Sequence, residues 1–204
     1  MDWVFQGHRH GAVAVVFRVK EQFGELSNMS NVFPLVVQGI PVRSSEALYQ
    51  AMRYPHQPDW QREILAAPHA MRSKMASKKQ KRQLSSRPDW EQVREDIMRW
   101  CLWVKASQHF GRFSRVLLSS GDRKIVERSR KDRFWGAVPV EDDLLEGENR
   151  LGRLLMELRD EVAEPLCSSQ EKSALPGLVP PEIANLSLLG QSLKGWRSAA
   201  AAAV

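Results

Sequence analysis

Between Pro88 and Val104 the apolar residues Trp90, Val93, Ile97, Trp100, Cys101 and Val104 follow one another at steps of three and four. That spacing puts them on one face of a helix. A stripe this long, carrying two tryptophans, has to be covered by other elements of the fold. Pro88 and Asp89 open it, where a fixed φ and a negative charge both suit a first turn. A second stripe, Leu151, Leu154, Leu155, Leu158 and Val162, repeats the pattern later in the chain. Shorter helices fit residues 47–52, 59–67 and 70–77, punctuated by Pro55, Pro58 and Pro68. Residues 113–118 and 125–129 also read as helical, and 135–147 as a loop. The β-branched and apolar runs 13–17, 33–37 and 40–42, separated by turn residues, read as strands. The pattern predicts a helix-rich α+β fold with a small N-terminal β element.

At 204 residues, 43% hydrophobic and 26% charged, the chain has the material for one globular domain with an appendage. A change of composition at Pro165 sets the boundaries at 1–164 and 165–204. In the appendage Leu186, Leu188, Leu189 and Leu193 are apolar enough to dock, and residues 199–204 are expected to fray. No run approaches the roughly 20 apolar residues of a membrane span, and the N-terminus lacks the layout of a secretory signal. The two cysteines, Cys101 and Cys167, form neither a disulfide framework nor a zinc pattern. A cytoplasmic location, no membrane partner, no metal and no cofactor are expected. His8-Arg9-His10 reads as a mobile terminal segment in preference to a metal site.

The net charge is +6, and the cations are uneven: Arg72, Lys74, Lys78, Lys79, Lys81, Arg82 and Arg87 run without an intervening acid. Such a stretch is either a stripe that contacts the phosphates of DNA or a solvated face. Phosphate-binding loops, dinucleotide fingerprints, zinc-protease helices and nucleophile elbows are all missing. What remains are two clusters. On a helix, Glu46, Gln50 and Arg53 share one polar face, although a first-turn glutamate also serves the helix dipole. Asp132, Trp135 and Gly136, with Asn149 before a helix, combine a loop acid, an aromatic, a permissive backbone and an amide. Asn149 has a plain alternative as a helix cap.

Residues 23–28 (Phe-Gly-Glu-Leu-Ser-Asn), Ser45-Glu46 with Tyr49-Gln50-Ala51, and Trp90 with Met98, Lys105 and Gln108, taken in order, resemble segments of the NADAR (YbiA-like) family of N-glycosidases. The resemblance continues through Glu127, Asp132, Trp135-Gly136 and Asn149-Leu151-Gly152-Leu155-Met156, so that it spans roughly 13–163. Ala47 stands where the family often has histidine, Met52-Arg53 where it often has glutamine-lysine, and Ala137-Val138-Pro139 where a glycine-rich stretch is usual.

The resemblance implies cleavage of a base–ribose bond. Charge that develops on the anomeric carbon suits a carboxylate that also deprotonates water. Glu46 matches the signature glutamate, and Asp132 would assist it or hold ribose hydroxyls, with loop hydrogen bonding as its plain role. Trp90 and Trp135 would stack on the base, although Trp90 also fits the core. Ser27, Asn28, Gly136 and Asn149 would meet ribose or base, and Arg53 and Lys105 phosphate, with Lys105 alternatively a surface charge. The basic stretch selects ADP-ribosylated guanine in DNA as the leading substrate, an antitoxin-like activity paired with a DNA ADP-ribosyltransferase toxin. The alternatives are a ribosylamino-pyrimidine intermediate of riboflavin synthesis and a non-catalytic ADP-ribose or nucleotide-binding module.

Overall fold

The computed structural model describes residues 5–9, 13–79, 82, 85–140, 144–168 and 179–197. His10, Lys81, the acidic residues 141–143 and the terminal residues 199–204 lie outside them. The chain divides into two compact units, residues 1–27 with 111–171 and residues 28–110 with 172–204. The fold is the expected helix-rich α+β one.

The second unit is built on helices. The antiparallel pair β3 (Leu35–Val37) and β4 (Ile40–Val42) leads into α1 (Ser45–Ala51), α2 (Pro58–Ala66), α3 (Ala70–Ser77) and the long α4 (Trp90–Gln108). All seven residues of α1 are buried, and it packs against α2, α3 and α4. The stripe on α4 does what its spacing predicts: Trp90, Ile97, Trp100, Cys101 and Val104 are all buried. At the end of α4, Gln108 exchanges two hydrogen bonds with the Val36 backbone at 2.8 and 2.7 Å, fixing β3 to the helix. Leu186, Leu188 and Leu193 are buried around the hairpin β8 (Ser187–Leu188) and β9 (Gln191–Ser192).

The first unit departs further from the sequence reading. Residues 5–9 form a strand, β1 (Phe5–Arg9), so His8 and Arg9 lie in a sheet and not in a mobile terminus. Its partner is β7 (Leu144–Gly147), which also pairs with β6 (Val138–Pro139); both lie where a loop was expected. Residues 125–129 are not helical either. Ile125 and Val126 belong to β5 (Lys124–Glu127), which runs parallel to β2 (Val13–Val16), with Ala14 opposite Ile125 and Val15 opposite Val126. These β-branched side chains prefer a pleated surface. The pairing joins residues more than a hundred positions apart, which local periodicity cannot register. The helix α5 (Phe110–Leu118) contributes residues 111–118 to this unit, and α6 (Arg150–Ser168) carries the second leucine stripe, with Leu151, Leu154, Leu155, Leu158 and Val162 buried.

α6 lies hard against β5, and Gly152 is what allows it. A Cβ there would collide with the Ile125 carbonyl oxygen and the Asn149 side-chain amide. Backbone carbonyls cannot yield as a flexible side chain can. We expect Gly152→Ala to lower stability by about 1–3 kcal/mol through overpacking, or roughly 2–4 °C in Tm per kcal/mol. An unchanged melting curve would contradict this close approach.

Candidate active site

The first turn of α1 is fixed by Ser44, whose side chain accepts the Ala47 N–H at 3.2 Å. Glu46 follows, 2% exposed. A glutamate that served only the helix dipole would stand in solvent; this one faces inward. Its N–H donates to the Asn28 carbonyl at 3.0 Å. Asn28 Nδ2 in turn donates to Glu46 Oε2 at 2.5 Å. Gln50, one turn further along α1, donates through Nε2 to Glu46 Oε1 at 2.9 Å. The Gln50 oxygen accepts from Ser77 Oγ at 2.5 Å. Both carboxylate oxygens therefore take a directed amide hydrogen. The buried Cys101 thiol is pushed well above its usual range, first by burial and then by the negative charge of Glu46.

Arg53 and Trp90 form a stacked pair below this helix. The Arg53 guanidinium lies 5.1 Å from the Trp90 ring centroid and donates through Nε to Ser86 Oγ at 3.0 Å. Tyr49 packs on Trp90 at 4.9 Å between centroids. Trp90 is thus engaged by protein groups and buried, in keeping with its place on the apolar stripe. Lys105 is fully buried, with Nζ 5.9 Å from the Phe33 centroid, so it is no surface charge.

In the other unit, Asp132 performs a loop role: its Oδ1 accepts from the N–H groups of Phe134 at 3.1 Å and Trp135 at 2.9 Å. Trp135 is half-buried and edge-on to Phe134, 5.0 Å between centroids. Gly136 is buried, and a Cβ there would strike the Glu127 carbonyl oxygen. Asn149, fully buried with φ 51°, spends its side chain on β5, accepting from Glu127 N–H at 2.9 Å and donating to the Ile125 carbonyl at 2.8 Å. It ties α6 to the sheet and does not cap the helix with its side chain. Ser27 is buried at the end of the short turn Gly24–Leu26.

Three of the seven cations of the basic stretch have carboxylate partners within the protein. Lys79 and Arg82 both pair with Glu63, and their hydrogen bonds hold its carboxyl below the usual range. Arg87 is buried and forks onto Asp89 at 2.6 and 2.9 Å. Beyond the far end of α1 lies a cavity of about 650 Å³, lined by His56, Arg87, Asp89, Asn185 and Ser187 among others; Glu46 is not in its wall. Among the described residues no group of three His, Cys, Asp or Glu side chains is placed to hold a metal ion.

The NADAR domain family model matches residues 16–163, which include Asn28, Glu46, Gln50 and Ser77. The chain belongs to this family. N-glycosidase YbiA of Escherichia coli is 31% identical over 147 residues, covering 72% of this chain and 86% of the relative. A riboflavin biosynthesis protein of Vibrio vulnificus is 33% identical over 138 residues, 67% of this chain and 35% of that protein. The NMR structure of E. coli YbiA superimposes with a TM-score of 0.63 at 28% identity, covering 78% of this chain and 90% of that one.

Glu46 and Asn28, both singled out from the sequence, meet in space. Gln50 was visible at helical spacing from Glu46, but nothing local marks Ser77, 27 residues beyond Gln50. Asp132 offers the sharpest test of which acid matters. Asp132→Asn keeps the oxygen that holds the turn, so we expect turnover within about threefold of wild type. A hundredfold loss, the scale of removing a general base, would return Asp132 to the chemistry.

Proposed function

We propose that this chain hydrolyses the bond between ribose and the base nitrogen of a small ribosylated pyrimidine, of the kind formed in riboflavin synthesis, with Glu46 as the reacting carboxylate. The coarser activity, a hydrolase acting on N-glycosyl bonds, follows from membership of the family and from relatives named N-glycosidases. The observation that carries the reading is the buried Glu46 carboxylate held by two amide donors. As the C1′–N bond breaks, its electron pair leaves with the base and positive charge grows on the sugar. A fixed carboxylate stabilises that charge and accepts the proton of the attacking water, whose oxygen bonds to C1′. The departing nitrogen takes up a proton from solvent, and the carboxylate afterwards releases the water proton to solvent.

The choice of a small substrate rests on what the basic stretch is doing. Lys79, Arg82 and Arg87 have carboxylate partners in the protein. Each committed cation is one fewer to exchange counterions with a nucleic acid. Two relatives carry riboflavin biosynthesis in their names, which supports the same choice. A second reading, removal of ADP-ribose from guanine in DNA, is favoured by the exposed Arg72 and Lys78 and the half-buried Lys74 around α3.

The test is a comparison of two substrates, a ribosylamino-pyrimidine phosphate and an oligonucleotide bearing ADP-ribosyl-guanine, assayed for released ribose product across a salt titration. We expect turnover of the pyrimidine with little salt dependence. Cleavage of the oligonucleotide alone, falling steeply with salt, would establish the DNA reading instead. Binding of either without release would mark a non-catalytic module.

A further inference from the structure

The hairpin of residues 187–192 lies outside the matched family domain, residues 16–163, and yet one side chain bonds both it and the end of the helix that carries Glu46. The link is Gln61 on α2, a fully buried side chain. Its Nε2 donates to the Ala51 carbonyl at the end of α1 at 3.1 Å and to the Ser187 carbonyl at 2.9 Å. Its Oε1 accepts the Leu189 N–H at 2.6 Å. Both amide hydrogens and the oxygen are used, and a buried amide satisfied in this way specifies one arrangement of its partners.

Other contacts press the hairpin onto the same region. Ser187 Oγ donates to the Pro55 carbonyl at 2.8 Å, just past α1. Arg87 Nη2 donates to the Ala184 carbonyl at 2.8 Å, and the Arg87 N–H to the Arg53 carbonyl at 3.0 Å. Gln38 Nε2 reaches the Ser192 carbonyl at 2.6 Å, and Trp196 sits edge-on to Trp100 at 5.8 Å between centroids. The hairpin turn places Leu189 at φ 50°, a left-handed conformation that disfavours a leucine and persists only when surrounding contacts hold it.

A helix of seven residues has little stability of its own. The first turn of α1 is held through Asn28 and Ser44, and its last carbonyl, that of Ala51, accepts both the Tyr54 N–H at 3.0 Å and Gln61 Nε2. We propose that Gln61 is a positioning residue: by clamping the end of α1 to the appendage hairpin, it sets the orientation of Glu46 toward substrate. The proposal rests on the reading of Glu46 given above. It makes the appendage part of the working enzyme, although no residue of the appendage touches Glu46 through the bonds described.

The test uses the full chain with Gln61→Met, which keeps the length of the side chain and removes all three bonds, and with Ser187→Ala, which removes one milder link. Kinetics on a ribosylated substrate are measured where circular dichroism shows each variant folded, together with hydrogen exchange of the α1 amides. We expect Gln61→Met to lower kcat about tenfold, the scale of a small misplacement of a reacting group, with KM little changed and α1 exchange faster. Ser187→Ala should move both readouts the same way by less. A lower Tm with unchanged kcat and unchanged α1 exchange would reduce Gln61 to a stabilising residue and overturn the proposal. Should Gln61→Met fail to fold, Gln61→Asn, which keeps the amide but draws it back by one methylene from the Ala51, Ser187 and Leu189 backbone groups, decides on the same two readouts. If wild type turns over no ribosylated substrate, the proposed function fails, while the exchange measurement still judges the clamp.

Discussion

An ionised carboxylate taken out of water loses several kcal/mol of solvation even after the protein relaxes around it. Glu46 can be buried only because donors are waiting for it, and a hydrogen bond to a charged group returns about 1.5–3 kcal/mol. Those donors come from different parts of the chain. Asn28 lies before β3, Gln50 on α1 itself, and Ser77, which orients Gln50, at the end of α3. Their convergence requires that α1 be buried along its whole length and that α2, α3 and α4 surround it. The apolar stripe of α4 supplies much of that surrounding wall.

The same constraint shapes the chemistry. A carboxylate gripped by two amides does not need to reorganise when positive charge develops on a sugar, because its orientation has been set in advance by folding. Its neighbour Cys101 is kept as a thiol by burial and by the Glu46 charge.

The helices were legible because their signal is local. Trp90 to Val104 and Leu151 to Val162 repeat at helical spacing, and both stripes are buried apart from the half-buried Val93. The strands of the first unit were not legible. β5 and β7 owe their conformation to partners at Val13–Val16 and Phe5–Arg9, far away in sequence. Ile125 and Val126 fit a helical template as well as a strand until the partner is known. The site divides in the same way. Glu46 and Asn28 stood out through the family motifs. Asn149, Gly136 and Asp132 matched motifs too, but the backbone groups that Asn149 and Asp132 bond, and the carbonyl that Gly136 lies against, could not be read from those motifs. Charge is visible in sequence for all seven cations of the basic stretch, whereas the Glu63 and Asp89 partners of Lys79, Arg82 and Arg87 are not.

The most direct measurement is single-turnover hydrolysis of a ribosylated base by Glu46→Gln, beside equilibrium binding of the same substrate. Glutamine keeps the shape of the side chain and can still accept from Asn28 or Gln50, but it carries no charge and takes no proton. The account predicts a rate at least about a hundredfold lower with substrate still bound and the fold intact by circular dichroism. Near-wild-type hydrolysis by that variant would contradict it, and the chemistry would have to be sought at another carboxylate.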